Sequence, residues 1–221
     1  MYEIKNAATI VLIRRHESRH SILMGRRAST ASFMPNKYVF PGGVWELSDN
    51  DVPLGKVMSN RQKKFLMLDT DFSDSLNLGI TGIRELWEET GLRLSCKGKF
   101  NKFPISWTKF FSGGNGPNLS NLYFFFRAVT PPGRSRRFDT RFFFCSAKHI
   151  CDDLDDFSKA SGELIDLHWI DISKVANLDL PIITRIALDH LLKLIANNYI
   201  FDFVPFYTGG STGLNKKKLK L

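Results

Sequence analysis

The stretch Gly79–Leu92 reads G-I-T-G-I-R-E-L-W-E-E-T-G-L and carries the carboxylates of Glu85, Glu88 and Glu89. In an α-helix these three positions, i, i+3 and i+4, lie on one face. The apolar side chains share the opposite face: Ile80, Ile83, Leu86 and Trp87. This pattern predicts an amphipathic helix from about Leu78 to Thr90, with one buried face and one acidic face. Gly91 is suited to end it in the left-handed conformation.

The acidic face of this helix has two interpretations. It can be a solvated surface, as charge runs on helices usually are. It can also hold a hard divalent cation, because Mg²⁺ prefers oxygen ligands and is commonly bound by a few carboxylates and substrate phosphates. Like charges at these spacings cost about 0.2–0.5 kcal/mol per pair, and the adjacent Arg84 is the local counter-charge. The helix alone leaves both interpretations open.

The residues around the acidic face resemble a known family motif. Arg84–Leu92, R-E-L-W-E-E-T-G-L, is similar to the core of the Nudix box, R-E-U-x-E-E-x-G-U with U an apolar residue. The opening element of that box is present as Phe40-Pro41-Gly42-Gly43, and Asp49 stands where the box has an acid. The chain therefore resembles the Nudix hydrolase family, with an insertion of about residues 50–77 inside the box.

Members of the family branch that hydrolyses coenzyme A and its esters have a similar insertion. The segment 129–144 also resembles a segment of those members. The family resemblance implies an α/β protein with the Nudix fold, a mixed β-sheet sandwiched between α-helices in an α/β/α arrangement. We expect residues 1–205 to form the Nudix hydrolase domain and residues 206–221 to form a flexible basic tail.

The resemblance also implies the chemistry. Members of the family cleave a phosphoanhydride bond in a nucleoside diphosphate linked to another moiety, with Mg²⁺ or Mn²⁺ as cofactor. It assigns the metal ligands to the backbone carbonyl of Gly43 and to the carboxylates of Glu85, Glu88 and Glu89. Arg84 is expected to pair with and orient a box acid.

The general base varies within the family, so two candidates are open. One is Glu85 itself. The other is Glu163, which stands six residues before Trp169 and would reach the site from a later loop. Glu163 can equally be an exposed loop residue with no role in the site. The predicted catalytic set is therefore Arg84, Glu85, Glu89 and Glu163.

Several arginines are candidate contacts for substrate phosphate, because a guanidinium matches phosphate oxygens in pairs. Each taken singly can equally be a solvated surface residue. The candidates are Arg26, Arg27, Arg134, Arg136, Arg137 and Arg141.

Composition is compatible with this function. Lys and Arg number 31 against 22 Asp and Glu, a net charge of +9 over 221 residues, which favours anionic partners. Four of these charges are Lys216, Lys217, Lys218 and Lys220. There is no apolar run of membrane-spanning length, no signal-peptide pattern, and the three cysteines form no C-x-x-C pair. We expect a cytoplasmic protein without a membrane partner, either a monomer or a homodimer.

Competing functions remain at this stage. Within the hydrolase interpretation, coenzyme A or acyl-coenzyme A competes with ADP-ribose or nucleotide sugars and with nucleoside triphosphates as substrate. A different class is a non-catalytic, nucleic-acid-binding or regulatory module that kept the fold. The basic charge permits it, but the intact Glu85, Glu88 and Glu89 argue against it. No histidine spacing suggests a zinc site.

Overall fold

A computed structural model describes residues 3–17, 19–31, 33–210 and 213–221. The strands are β1 (Ile4–His16), β2 (Arg19–Arg27), β3 (Tyr38–Val39), β4 (Gly42–Val44), β5 (Ser95–Lys97), β6 (Asn115–Pro117), β7 (Tyr123–Val129), β8 (Arg137–Ser146), β9 (Leu164–Asp171), β10 (Phe203–Gly210) and β11 (Gly213–Lys220). The α-helices are α1 (Asn60–Leu66), α2 (Leu78–Thr90), α3 (Thr108–Phe111) and α4 (Ile182–Ala196).

Strand β1 is the centre of a mixed sheet. Its run of β-branched and apolar residues is buried on both faces, as expected of a central strand. It pairs antiparallel with β2 and parallel with β8. The path through the sheet is β11-β10-β7-β8-β1-β2-β3, while β9 pairs with β2 and β4 pairs with β1. The last pairing sets Gly43 opposite Ala8.

Helices cover both faces of this sheet, which confirms the predicted α/β/α arrangement. On one face, Ile80 and Ile83 of α2 pack in a core with Ile10 and Leu12 of β1. On the other face, α4 packs in a second core against the alternate residues of β1. The two cores follow from the strand, whose successive side chains point to opposite faces.

Helix α2 has the predicted bounds, Leu78–Thr90, and ends at Gly91 with φ of +79°. That left-handed conformation favours glycine. Within the helix, Gly82 lies close to β1: a Cβ there would stand 3.1 Å from Cγ1 of Ile10. The missing side chain therefore lets α2 approach the sheet closely.

The insertion of residues 50–77 folds back on the α2 side of the sheet. Its helix α1 begins after Ser59, whose hydroxyl accepts the N–H of Gln62. Phe65 is fully buried in the same core as α2, and Gln62 accepts the N–H of Phe124 on β7 through its side-chain oxygen at 2.8 Å. The insertion thus adds a packed layer to the domain.

The carboxyl-terminal segment differs from its prediction. Instead of a flexible tail, its described residues form β10 and β11, an antiparallel pair, and β10 adds to the sheet beside β7. Leu219 is buried in the core, whereas Lys216 and Lys218 lie over the rings of Tyr207 and Phe203. Residues 211 and 212 of the predicted flexible linker lie outside the described residues.

None of the described helices has the length and apolar character needed to cross a membrane.

Candidate active site

The acidic face of α2 is organised around one buried guanidinium. Arg84 is 4% exposed. Its Nε donates to Oδ1 of Asp49 at 2.9 Å, and its Nη2 donates to the backbone carbonyl of Val44 at 2.8 Å. Its Nη1 contacts Oε1 of Glu85 at 2.8 Å and Oε2 of Glu88 at 3.2 Å. Arg84 thus ties α2 to β4 and to the segment that precedes the insertion.

Asp49 is fully buried and serves as the anchor of this network. Besides Arg84, it accepts the hydroxyl of Thr81 through Oδ2 at 2.8 Å. It also caps its own turn by accepting the N–H of Glu46 at 3.2 Å. The insertion therefore leaves Asp49 in contact with the box arginine, although 35 positions separate them in the chain.

Glu85 points at the Pro-Gly-Gly turn. A Cβ on Gly43 would stand 2.3 Å from Oε1 of Glu85, so glycine is needed there for the carboxylate to reach the strand. Burial raises the pKa of Glu85 to about 7, and the negative charge of Glu88 adds to the rise despite the opposing effect of Arg84. A proton or a cation is therefore needed to stabilise this carboxyl group.

Glu89 is the most buried of the three, at 2% exposure. Its Oε2 accepts the backbone N–H of Gly42 at 2.8 Å. Burial, and then the neighbouring Glu85, raise the pKa of Glu89 well above its usual value. Glu88 lies at the open side, with 38% of its side chain exposed, and burial also raises its pKa.

These residues fit a divalent cation by their charge and donor types. Asp49, Glu85 and Glu88 contact the single guanidinium of Arg84, and the buried Glu89 adds a fourth carboxylate next to Glu85, so positive charge is lacking. All are hard oxygen donors, which Mg²⁺ and Mn²⁺ favour. Among the described residues, however, no three acidic, histidine or cysteine side chains already form a cation cage. The assignment of Gly43, Glu85, Glu88 and Glu89 as metal ligands thus stays a prediction.

Glu85 and Gly43 form part of the wall of a cleft of about 340 Å³. The opposite wall is apolar and includes Phe33, Met34 and Phe138. Strand β1 contributes three successive residues to the lining, and β8 contributes alternate residues. The remaining lining residues are Ala7, Ala8, Thr9, Arg27, Val39, Phe40, Gly42, Val44, Arg136, Thr140, Phe142, Glu163 and Thr184. No residue of the insertion is among them.

Glu163 is one of the residues that line this cleft. Its side chain is 55% exposed, and Oε1 accepts Nη2 of Arg27 at 3.1 Å. Its negative charge contributes to the raised pKa of both Glu85 and Glu89. The structure thus brings together Arg27, Glu85 and Glu163, which stand far apart in the chain.

The other predicted phosphate contacts are dispersed. Arg26 donates to Asn36 outside the cleft, Arg134 is exposed on the β7–β8 turn, and Arg137 donates to the carbonyl of Thr130. Arg141 is 1% exposed and bonds Asn6 and Thr70. Burial places Arg141 in a structural network, away from any substrate, and only Arg27 and Arg136 line the cleft.

Sequence reasoning missed the aromatic wall. Phe33 and Phe138 meet edge to face, with ring centroids 5.3 Å apart. Phe138 precedes Thr140 and Phe142 at intervals of two, which places all three on one face of β8. That alternation could have indicated that Phe138 belongs to the cleft wall. No local sequence pattern indicates the same for Phe33 or Met34.

Comparison with known proteins gives relatives by sequence and by fold. No protein-family model matches the chain. A Caenorhabditis elegans protein named as nudix hydrolase 7 is 28% identical over 180 residues, which cover 76% of this chain and 51% of that protein. This chain therefore spans about half the length of that relative.

Two solved structures share the fold. A NUDIX hydrolase from Alicyclobacillus acidocaldarius aligns with a TM-score of 0.64 and 26% identity, covering 87% of this chain and 93% of that one. The NUDIX domain of Shewanella oneidensis NrtR, solved with ADP-ribose, aligns with a TM-score of 0.51 and 12% identity, covering 88% and 90%. The chain has the Nudix fold, and its sequence is similar to those of the Caenorhabditis elegans and Alicyclobacillus acidocaldarius proteins.

Proposed function

We propose that this protein is a divalent-metal-dependent hydrolase that cleaves a phosphoanhydride bond in a nucleoside diphosphate linked to another moiety. The observation that carries the proposal is the buried excess of carboxylates on α2, facing the Gly42–Gly43 turn at the wall of a cleft. Burying like charges is costly unless a counter-charge is present. A fold that retains this cost at a cleft is suited to bind a cation.

Within the proposal, the carbonyl of Gly43 and the carboxylates of Glu85, Glu88 and Glu89 hold Mg²⁺ or Mn²⁺. When bound, such a metal neutralises phosphate charge and lowers the pKa of water. Arg84 is a positioning residue, because its contacts with Asp49 and Val44 fix the guanidinium that holds Glu85 and Glu88.

The structure favours a split of roles between the two candidate bases. Glu85 is buried against the Gly42–Gly43 turn, which suits a ligand. Glu163 is half exposed at the cleft and is held by Arg27, so it can accept a proton from water and pass it to solvent. We therefore assign the general base to Glu163 and a phosphate contact to Arg27.

The cleft also suggests how a nucleoside part is held. Ligand sites are usually apolar pockets with a few well-placed polar groups. Here Phe33, Met34 and Phe138 offer an apolar wall for a ring system, while Arg27 and Arg136 offer guanidinium groups for phosphates. This division suits a substrate with an aromatic base at one end and a diphosphate at the other.

For the substrate, we propose coenzyme A or acyl-coenzyme A, supported by the insertion inside the box and the segment 129–144. ADP-ribose is the second candidate, because the NrtR domain of the same fold was solved with that ligand. Nucleoside triphosphates are the third. The insertion contributes no cleft residue, so its part in the choice is indirect.

The test is a substrate panel in Mg²⁺ and in Mn²⁺, with products identified by mass. Phosphopantetheine with an adenosine bisphosphate would establish coenzyme A, and AMP with ribose phosphate would establish ADP-ribose. Turnover should stop in EDTA and return with added metal. Absence of hydrolysis across the panel, with metal present and the protein folded, would refute the enzyme proposal.

The competing class is a binding module for nucleic acid. It predicts no turnover but affinity for RNA or DNA that falls steeply with salt. A salt titration of binding, run beside the panel, separates the two functions.

A further inference from the structure

A second groove lies on the α4 side of the sheet, at the carboxyl ends of the parallel strands β1 and β8. Its volume is about 970 Å³, within the range of small-molecule sites. Along β1, the cleft lining ends at Thr9 and the groove lining begins at Ile13, and the two linings share no residue. Four positions are about 13 Å in a strand. The groove is therefore separate from the candidate active site.

The wall of the groove is an aromatic stack. Tyr123 stacks on Phe144 with ring centroids 5.1 Å apart, and Tyr199, just after α4, stacks on Phe144 at 5.3 Å. Phe144 is buried, but each tyrosine is 39% exposed. Exposed aromatic faces of this kind stack well on nucleobases, whose rings are also flat and polarisable.

The rim of the groove carries an excess of positive charge. Arg15 and Lys148 are exposed, and Arg14 is paired with Asp155 at 2.6 Å. Glu17 is the acidic residue among the lining side chains. Burial and the adjacent Lys148 lower the pKa of His149, which disfavours its charged form. Lys148 and Arg15 are thus the exposed cations at the rim, and the Nε of Arg15 already donates to the backbone carbonyl of Glu17 at 3.1 Å.

We propose that this groove binds a nucleobase that carries phosphate groups, either as a free nucleotide or as a unit of single-stranded nucleic acid. The base stacks on Tyr123 or Tyr199, and the phosphates contact Arg15 and Lys148. The site acts without the metal and without the carboxylates of α2. The proposed binding at the groove therefore does not depend on the hydrolase proposal.

The test titrates ADP into the full chain in EDTA and follows hydrogen exchange of separate peptides. ADP should protect residues 12–17 and 144–150, in addition to any effect at residues 38–46 of the cleft. The double variant Arg15→Glu with Lys148→Glu should weaken ADP binding at the groove at least tenfold. The matched control, Lys99→Glu with Lys102→Glu, reverses two exposed lysines away from both sites and should leave it unchanged.

Further ligands separate the two halves of the interaction. Tyr199→Leu should lower the affinity for ADP about tenfold, because the base stacks on the tyrosine ring. The weaker binding of inorganic tripolyphosphate should stay nearly unchanged, because tripolyphosphate has no base. A ten-nucleotide oligoadenylate that protects the same peptides more tightly than ADP would identify single-stranded nucleic acid as the source. Tighter binding of ADP would identify the free nucleotide.

Two results would overturn the proposal. One is protection by ADP and the oligonucleotide that is confined to the cleft or missing everywhere. The other is an equal loss of affinity in the charge-reversal pair and its matched control, because that would show a general charge effect.

Discussion

Two buried arginine networks in this protein differ in the sign of their surplus charge. Around Arg84, the carboxylates of Asp49, Glu85 and Glu88 share one guanidinium, and Glu85 lines a cleft. Around Asp139, the guanidinium groups of Arg127 and Arg141 share one carboxylate, at 2.6 and 3.0 Å. The first network lacks positive charge, and the second lacks negative charge.

The second network resolves its surplus internally. Arg141 donates to Asn6 and Thr70, and Arg127 donates to the carbonyl of Asp69 at 2.7 Å. Burial still lowers the pKa of Arg141 to about 10. The guanidinium N–H groups that do not reach Asp139 donate to neutral oxygens instead. The comparison teaches that a buried charge cluster closed by neutral groups is structural, whereas one left unbalanced beside a cleft is a candidate ligand site.

The largest expected effect is on turnover in Glu89→Gln. Loss of one metal ligand should lower kcat about 1000-fold, equivalent to about 4 kcal/mol. Stability should not fall, because the raised pKa of Glu89 means that the folded state disfavours its charge. Steady-state kinetics and urea unfolding check both parts. Exposed Glu3→Gln is the control, and near-normal turnover of Glu89→Gln in Mg²⁺ would remove the metal assignment.

The matching change in the second network is Asp139→Asn. It leaves two buried guanidinium groups without a counter-charge, so the free energy of unfolding should fall by about 3 kcal/mol. The kcat of the folded fraction should stay within about twofold, because the Asp139 carboxylate is paired with Arg127 and Arg141 and does not line the cleft, although its neighbours Phe138 and Thr140 do. Denaturant unfolding measures the loss, with Asp202→Asn, whose side chain is 94% exposed, as control. An unchanged stability would mean that the network is not structural.

Asp49→Asn should give an intermediate result, because Asp49 belongs to the first network but touches no cleft residue directly. Loosening Arg84 should lower kcat by about 10- to 100-fold, as changes to residues that orient ligands do. KM should change little, since the substrate contacts remain. The neighbouring exposed Asp51→Asn is the control. A loss of stability with unaltered kcat would reduce Asp49 to a purely structural residue.

The smallest expected effect is stabilisation by metal. Mg²⁺ at ten times its dissociation constant should add about 1.4 kcal/mol to the free energy of unfolding. The gain should vanish in Glu89→Gln and persist in Asp139→Asn, which thermal unfolding with and without Mg²⁺ can measure. Equal gains in both variants would show that the cation binds elsewhere.

Much of the candidate site could be predicted from the sequence. The bounds of α2 followed from its 3.6-residue periodicity and Gly91, because both signals are local. The spacing before Trp169 named Glu163 as a candidate base, with an exposed loop glutamate as the alternative, and Glu163 lines the cleft with 55% of its side chain exposed. Its role as base stays a prediction.

Other features escaped because they depend on distant partners. The lysines of β11 favour a solvated tail by composition, yet pairing with β10 and burial of Leu219 make that segment a strand. Arginine is usually exposed, but Arg141 is buried because Asn6 and Thr70 supply hydrogen-bond acceptors for its guanidinium. Tertiary contacts override local propensity in both cases.

The sequence by itself determined the acidic helix, its buried face and the glycine turn, because periodicity and backbone freedom are properties of short segments. Only the tertiary structure decided which carboxylates lack a counter-charge. Asp49 and Arg84 meet across 35 positions, and Arg27 meets Glu163 across 136. The balance of charge in a buried cluster depends on every group within a few ångströms, and the sheet brings those groups together from distant parts of the chain.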